Sequence, residues 1–207
     1  TSRYDGLIAR YLAKERTENG TVQDLPERVD VELHKIRELR YGENPHQRGA
    51  FYRDTSDAEG CVVDASQVQG KELSYNNILD LDAALAMVKD FDTPAVSIVK
   101  HNNPCGVAAA GTIEKAYLDA LECDRMSAFG SIMAFNTPID SATANVILDQ
   151  ADFVECIIAP GYEEEALRVF SQKKNLRVMN IASLAPVPPG TKQVKKIAGG
   201  ALIQDAD

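Results

Sequence analysis

The sequence predicts an α/β fold with a largely buried sheet. Three observations carry this: short continuous apolar runs at AVSIV, GSIMAF and VECIIA, helical-period segments between them, and turn residues at the junctions. Runs without polar alternation are what strands covered on both faces require.

The elements follow in order. Residues 4–15 place Leu7, Ile8, Tyr11 and Leu12 on one stripe of a short helix, which needs a partner surface. Residues 15–27 are polar and turn-rich, a linker. Residues 1–27 therefore form a leading helix and linker, and 28–207 an α/β subdomain. Within 30–40, Val31, Leu33 and Ile36 suggest a strand that delivers Arg40 and Tyr41 to its end, and GENPHQRG after it is a loop suited to ligand contacts. From Asn77 to Phe91, Ile78, Leu81, Ala84, Leu85 and Val88 recur at helical spacing, with Asn76 or Asn77 as the N-cap. The strand AVSIV (95–99) ends at Lys100, and NNPCG reads as a turn. A helix from Thr112 carries Ile113, Ala116, Tyr117, Ala120 and Leu121 on one face. Strand 130–135, helix 140–150, strand 154–159, helix 163–173 and a strand over 177–181 complete the alternation. The closing GGALIQDAD is strand-like, and a chain that opens on Thr1 and stops there reads as a piece of something longer.

The chain has 207 residues, with 22 Lys and Arg against 31 Asp and Glu, a net charge of -9. An extended polyanion such as nucleic acid would be repelled by that balance, whereas a small phosphorylated ligand needs only a few cations in a cleft. No apolar run reaches membrane-span length, and the N-terminus has no signal-peptide pattern. Cys61, Cys105, Cys123 and Cys156 are widely spaced with no CxxC, as expected of reduced thiols in a cytoplasmic protein.

The strongest chemical signal is IVKHNNPCG (98–106), where a buried apolar strand ends in a cation, an imidazole and two carboxamides. Strand carboxyl ends are where α/β sheets hold ligands. The Lys100 ammonium disfavours a protonated neighbour, which suits His101 as a general base, with Lys100 stabilising developing negative charge. Chemistry alone fits equally well a Lys100 that reaches solvent and a His101 that caps a turn. A zinc-deaminase reading finds an echo in HNNPCG but fails in detail: Asn103 replaces the glutamate, and Cys105 has no partner three residues on. In RYGENPHQ, Arg40 is a forked donor for phosphate and Tyr41 a hydroxyl, with Asn44 and His46 nearby; a plain surface turn is the alternative. DRMSAFG offers Met126, Phe129 and Gly130 as pocket lining, or as helix-to-strand packing. No P-loop or G-x-G-x-x-G is present.

Taken together, RYGENPHQ, KHNNPCG, DRMSAFG and IIAPGYEEEAL resemble the aminoimidazole carboxamide ribotide (AICAR) transformylase domain of the bifunctional purine biosynthesis proteins, across nearly the whole chain. The resemblance implies a three-layer cytidine-deaminase-like fold, of which this chain supplies the first of two copies. It also implies formyl transfer from 10-formyltetrahydrofolate, as co-substrate, to the 5-amino group of AICAR, giving the formamido ribotide (FAICAR) and tetrahydrofolate. His101 then maps to the proton acceptor and Lys100 to the transition-state stabiliser. Ribotide contacts map to Arg40, Tyr41, Asn77, His101, Gly130 and Glu155, and no metal is implied. Asn102, Asn103 and Cys105 fall at variable positions. The active sites of the resembled family lie at a homodimer interface and draw folate contacts from the C-terminal half, so the fragment is expected to carry the catalytic pair without the full site. No cyclohydrolase motif is present. A noncatalytic ribotide-binding module and, less well supported, a deaminase-like zinc hydrolase are the alternatives.

Overall fold

The computed structural model describes Leu25, Val29 and residues 31–54, 59–187 and 191–206; the expected helix over 4–15 and most of the 15–27 linker lie outside these. Residues 33–191 form one compact unit. Its centre is a six-stranded sheet, made of β3 (Ser66–Gln69), β4 (Ala95–Lys100), β5 (Asn103–Ala109), β6 (Ser131–Phe135), β7 (Val154–Ala159) and β8 (Arg177–Asn180). Their order is β3-β8-β7-β6-β4-β5. β6, β7 and β8 run parallel, while β4 is antiparallel to both β5 and β6, and β3 to β8.

Four helices cover the sheet: α1 (Tyr75–Lys89), α2 (Ile113–Cys123), α3 (Ser141–Gln150) and α4 (Glu164–Ser171). The two faces separate by strand alternation. Leu81, Ala84, Leu85 and Val88 of α1 pack on Val99, Ile132, Ala134, Cys156, Ile158 and Met179. Val96, Ile98, Met133, Phe135, Ile157 and Val178 face the apolar stripes of α2, α3 and α4. The result is helix, sheet, helix in three layers. Burial of each such aliphatic side chain contributes about 1.5–3 kcal/mol, and the Ser97 hydroxyl adds a hydrogen bond to the Ala84 carbonyl at 2.7 Å that ties α1 to the sheet.

The structure corrects the sequence expectations in two places. NNPCG is not a turn: Asn103–Ala109 is the edge strand β5, and the turn is the residue pair His101-Asn102 alone. An edge strand tolerates Pro104, whose missing N–H leaves no ladder bond broken on the open side. Gly106 is required because a Cβ there would meet the Ala120 carbonyl oxygen at 1.9 Å, so α2 lies directly on this strand. The N-cap of α1 is Ser74, not Asn76 or Asn77. Its hydroxyl accepts the Asn77 N–H, and the Asn77 side-chain oxygen accepts the Ser74 N–H, a capping box.

Strand β1 (Leu33–Leu39) pairs with β2 (Gly49–Asp54) in a separate two-stranded sheet, and their loop holds Arg40 and Tyr41. Residues 192–205 belong to a second unit, in which β9 (Lys192–Ile197) and β10 (Gly200–Asp205) form a hairpin. Among the described residues, no helix is long and apolar enough to cross a membrane.

Candidate active site

The candidate residues gather at one end of the six-stranded sheet. Because β4 runs antiparallel to its neighbour, its carboxyl end at Lys100 coincides with the amino ends of β6, β7 and β8. The candidate site therefore lies at the carboxyl end of β4, where sequence reasoning put it, but at the amino ends of the three parallel strands. All three register shifts of this sheet also fall at this end, beside Val68, Cys105 and Glu155. A bulge adds a residue and re-aims a side chain, and Glu155 is the extra residue between Val154, opposite Ser131, and Cys156, opposite Ile132.

Lys100 and His101 form the tip of the β4–β5 hairpin. The two-residue loop His101-Asn102 has φ of 54° and 60°, the paired left-handed conformation whose twist matches that of adjoining strands. The backbone N–H groups of both residues donate to the buried Asp80 carboxylate, at 3.2 Å from His101 and 2.7 Å from Asn102. His101 is exposed. The Lys100 ammonium donates to the Phe129 carbonyl at 2.8 Å, a contact made possible by the adjacency of β4 to the start of β6. It brings the KHNNPCG and DRMSAFG segments together.

Gly130 sits at φ +75°, a conformation that favours glycine, and its N–H donates to the Phe153 carbonyl at 2.8 Å. The Phe129 and Phe153 rings are 5.5 Å apart. Met126 and Phe129 are both exposed, Met126 by 87%, and neither lines the cavity described next. Cys105 is half-buried, and burial and then nearby Asp124 push its thiol pKa up.

One turn before Asp80 on α1, Asn77 is 4% exposed and its amide nitrogen donates to a Glu155 carboxylate oxygen at 2.9 Å. Arg177, the first residue of β8, reaches the same oxygen at 3.5 Å and donates to the Glu72 carbonyl at 3.2 Å. Arg177 also lines a cavity of about 320 Å³ with Arg37, Arg40, Tyr41, Lys71 and Ser74. Arg40 lies 5.8 Å from the Tyr41 ring centre, and their loop is closed by Gly42 N–H to Gln47 carbonyl at 2.7 Å and tied to α1 by Asn76 reaching the Glu43 carbonyl at 3.4 Å. His46 and Asn44 are exposed.

Glu155 thus joins Asn77 to Arg177, which lines the cavity with Arg40 and Tyr41, while Asp80, three residues after Asn77 on α1, holds the His101-Asn102 turn, and Lys100 bonds the carbonyl of Phe129, the neighbour of Gly130. Sequence reasoning named Arg40, Tyr41, Asn77, Lys100, His101, Gly130 and Glu155 as candidates, and did not name Asp80 or Arg177. Asp80 carried one signal, a charge three residues after Asn77 inside the apolar stripe of a helix. The cavity combines four cations, Arg37, Arg40, Lys71 and Arg177, with Glu38 and Glu72, a lining suited to a phosphate-bearing ligand in an otherwise acidic molecule. No group of three or more His, Cys, Asp or Glu is placed to hold a metal ion among the described residues.

An α/β domain thus places an imidazole, an ammonium and a cationic cavity at one sheet end, and comparison with known proteins places the chain in a family. The AICARFT/IMPCHase bienzyme family matches residues 1–207. The chain is similar to bifunctional purine biosynthesis proteins PurH, with 45% identity to that of Acetivibrio thermocellus over 99% of this chain and 39% of the relative. It is also 45% identical to that of Neisseria meningitidis, over 100% of this chain and 40% of the relative, and to that of Ruminiclostridium cellulolyticum, over 99% and 39%. The chain belongs to the AICARFT/IMPCHase bienzyme family. It spans about two-fifths of the length of these relatives.

Proposed function

We propose that the chain forms the ribotide side of an AICAR transformylase site in purine biosynthesis, within a cytoplasmic enzyme. The observation that supports this best is that one helix, α1, carries both Asp80, which bonds the His101-Asn102 turn, and Asn77, which bonds Glu155 and through it meets Arg177 of the cationic cavity. Arg40 and the cavity cations take the phosphate, and Tyr41 lies beside it. The Glu155 carboxylate accepts N–H groups of the carboxamide or amine in place of its Asn77 and Arg177 donors.

In the reaction, the 5-amino nitrogen attacks the formyl carbon of 10-formyltetrahydrofolate. An aromatic amine conjugated with a carboxamide is a poor nucleophile, so its proton passes to His101 as the C–N bond forms. The formyl oxygen becomes an oxyanion opposite the Lys100 ammonium. Two of the ammonium protons are available for it while the third stays on the Phe129 carbonyl, which orients the group. The bond from the formyl carbon to N10 then breaks, N10 regains a proton, and FAICAR and tetrahydrofolate leave. The three layers seen here are one copy of a cytidine-deaminase-like fold. A second copy, in the length that the relatives carry beyond the matched span, supplies most folate contacts across a homodimer interface.

Calorimetric titration of the chain with AICAR, with and without 10-formyltetrahydrofolate, followed by a formyl-transfer assay, tests this reading. Ribotide binding without turnover is expected if the chain holds half of the site, and absence of ribotide binding refutes the assignment. In a full-length bienzyme carrying this segment, His101→Ala should lower the chemical rate by about 10²–10⁴ with ribotide affinity retained. Near-normal turnover would remove His101 as the base.

A further inference from the structure

We infer that Asp80 is a positioning residue for His101, its buried carboxylate clamping the left-handed turn that carries the imidazole. The kinetic consequence rests on the transformylase reading above; the structural one does not.

His101 and Asn102 are the only non-glycine residues with positive φ among the described residues. Asn enters that region with modest strain, whereas His does so less readily. Something must hold the turn, and hairpin pairing at Lys100 and Asn103 fixes only its two ends. The Asn103 amide nitrogen donates to the His101 carbonyl at 2.7 Å, and Asp80 holds the backbone N–H groups. One carboxylate oxygen accepts the His101 N–H at 3.2 Å and the other the Asn102 N–H at 2.7 Å. With the Asn102 amide turned so that its nitrogen faces the helix, it donates to Asp80 and to the Leu79 carbonyl, both at 3.2 Å. An anion accepting two backbone donors and one side-chain donor is a strong, directional clamp.

The clamp is itself rigidly mounted. Asp80 is 9% exposed and lies on α1 between the buried Asn77 and Leu81. The helix is fixed to β4 by the Ser97 bond to Ala84, one turn beyond Asp80. Asn77, three residues before Asp80 and so on the same helix face, touches Glu155. One helix therefore sets both the imidazole-bearing turn and the carboxylate on the ribotide side, which fixes the spacing between the proton acceptor and the bound substrate.

Asp80→Asn keeps the volume but turns a donor toward one of the two backbone donors. In a full-length bienzyme carrying this segment, we expect kcat to fall about 10- to 100-fold, as displacement of a reacting group does, with KM for AICAR little changed. Asn102→Gly, which accepts positive φ without strain, should restore part of the loss when combined with Asp80→Asn, a coupling that independent sites do not show. Unchanged kcat in Asp80→Asn, an equal loss in KM, or no recovery in the double variant overturns the proposal. Hydrogen exchange on the unsubstituted chain gives a separate readout. The His101 and Asn102 amides are expected to be protected although they lie in an exposed hairpin loop, and rapid exchange of both overturns the clamp whether or not the protein transfers formyl groups.

Discussion

The β4–β5 and β9–β10 hairpins solve the same problem in opposite ways. Each closes with a two-residue loop, His101-Asn102 in the first and Ala198-Gly199 in the second. At the β9–β10 tip the positive φ, +76°, falls on Gly199, around which a Cβ would meet nothing within 4 Å, and the register of the two strands is unbroken. At the β4–β5 tip both positive φ values fall on side-chain-bearing residues, the register shifts at Cys105, and a buried carboxylate is needed beneath. Where a turn only has to turn, glycine suffices. Where side-chain-bearing residues make the turn, the unfavourable backbone is bonded from the next layer.

The sharpest way to break this comparison is at one glycine of each hairpin. Gly106→Ala in β5 puts a methyl group 1.9 Å from the Ala120 carbonyl oxygen, and a backbone atom cannot step aside as a flexible side chain can. The expected loss is about 3 kcal/mol by denaturant unfolding, and a loss below about 1 kcal/mol would mean that α2 is not seated on β5. At the other hairpin, Gly199→Ala meets no atoms and strains only its own φ. It should cost about 1 kcal/mol, read as faster amide exchange confined to residues 192–205. Equal responses of the two hairpins would erase the distinction.

The same contrast explains what was legible in the sequence. The buried strands β4, β6 and β7 are covered on both faces, so they appear as continuous apolar runs and were read within a residue or two of their ends. The edge strands were not. β3 is SQVQ and β5 is NPCGVAA, and polar, Pro- or Gly-bearing composition is what protects a sheet edge from pairing with another chain. β1 alternates imperfectly because its register shifts at Ile36. At the site, the Lys100-His101 tip stood out as an apolar strand ending in polar groups. Asp80 and Arg177 did not, since a carboxylate in a helix and an arginine at a strand start are ordinary until the fold shows what they touch. Which end of the parallel strands carries the site was likewise beyond pattern, because it depends on the direction of β4 within the sheet.

The smallest effect is expected at Cys105, and it separates backbone from side chain at the more irregular hairpin. Cys105 is the added residue where Ile98 pairs with Gly106 and Val99 with Pro104, and the resemblance put it at a variable position. Burial and the neighbouring Asp124 raise the thiol pKa above its ordinary value, a shift that disfavours the thiolate. The bulge is a property of the chain path, which alanine follows as well as cysteine. Cys105→Ala should therefore cost less than about 1 kcal/mol of stability, leave formyl transfer in the full-length bienzyme nearly unchanged, and abolish no alkylation that iodoacetamide achieves at pH 7.5 in the unsubstituted protein. Loss of turnover with retained folding would assign the chemistry to the thiol, and the contrast between the hairpins would then lie in their side chains and not in their backbones.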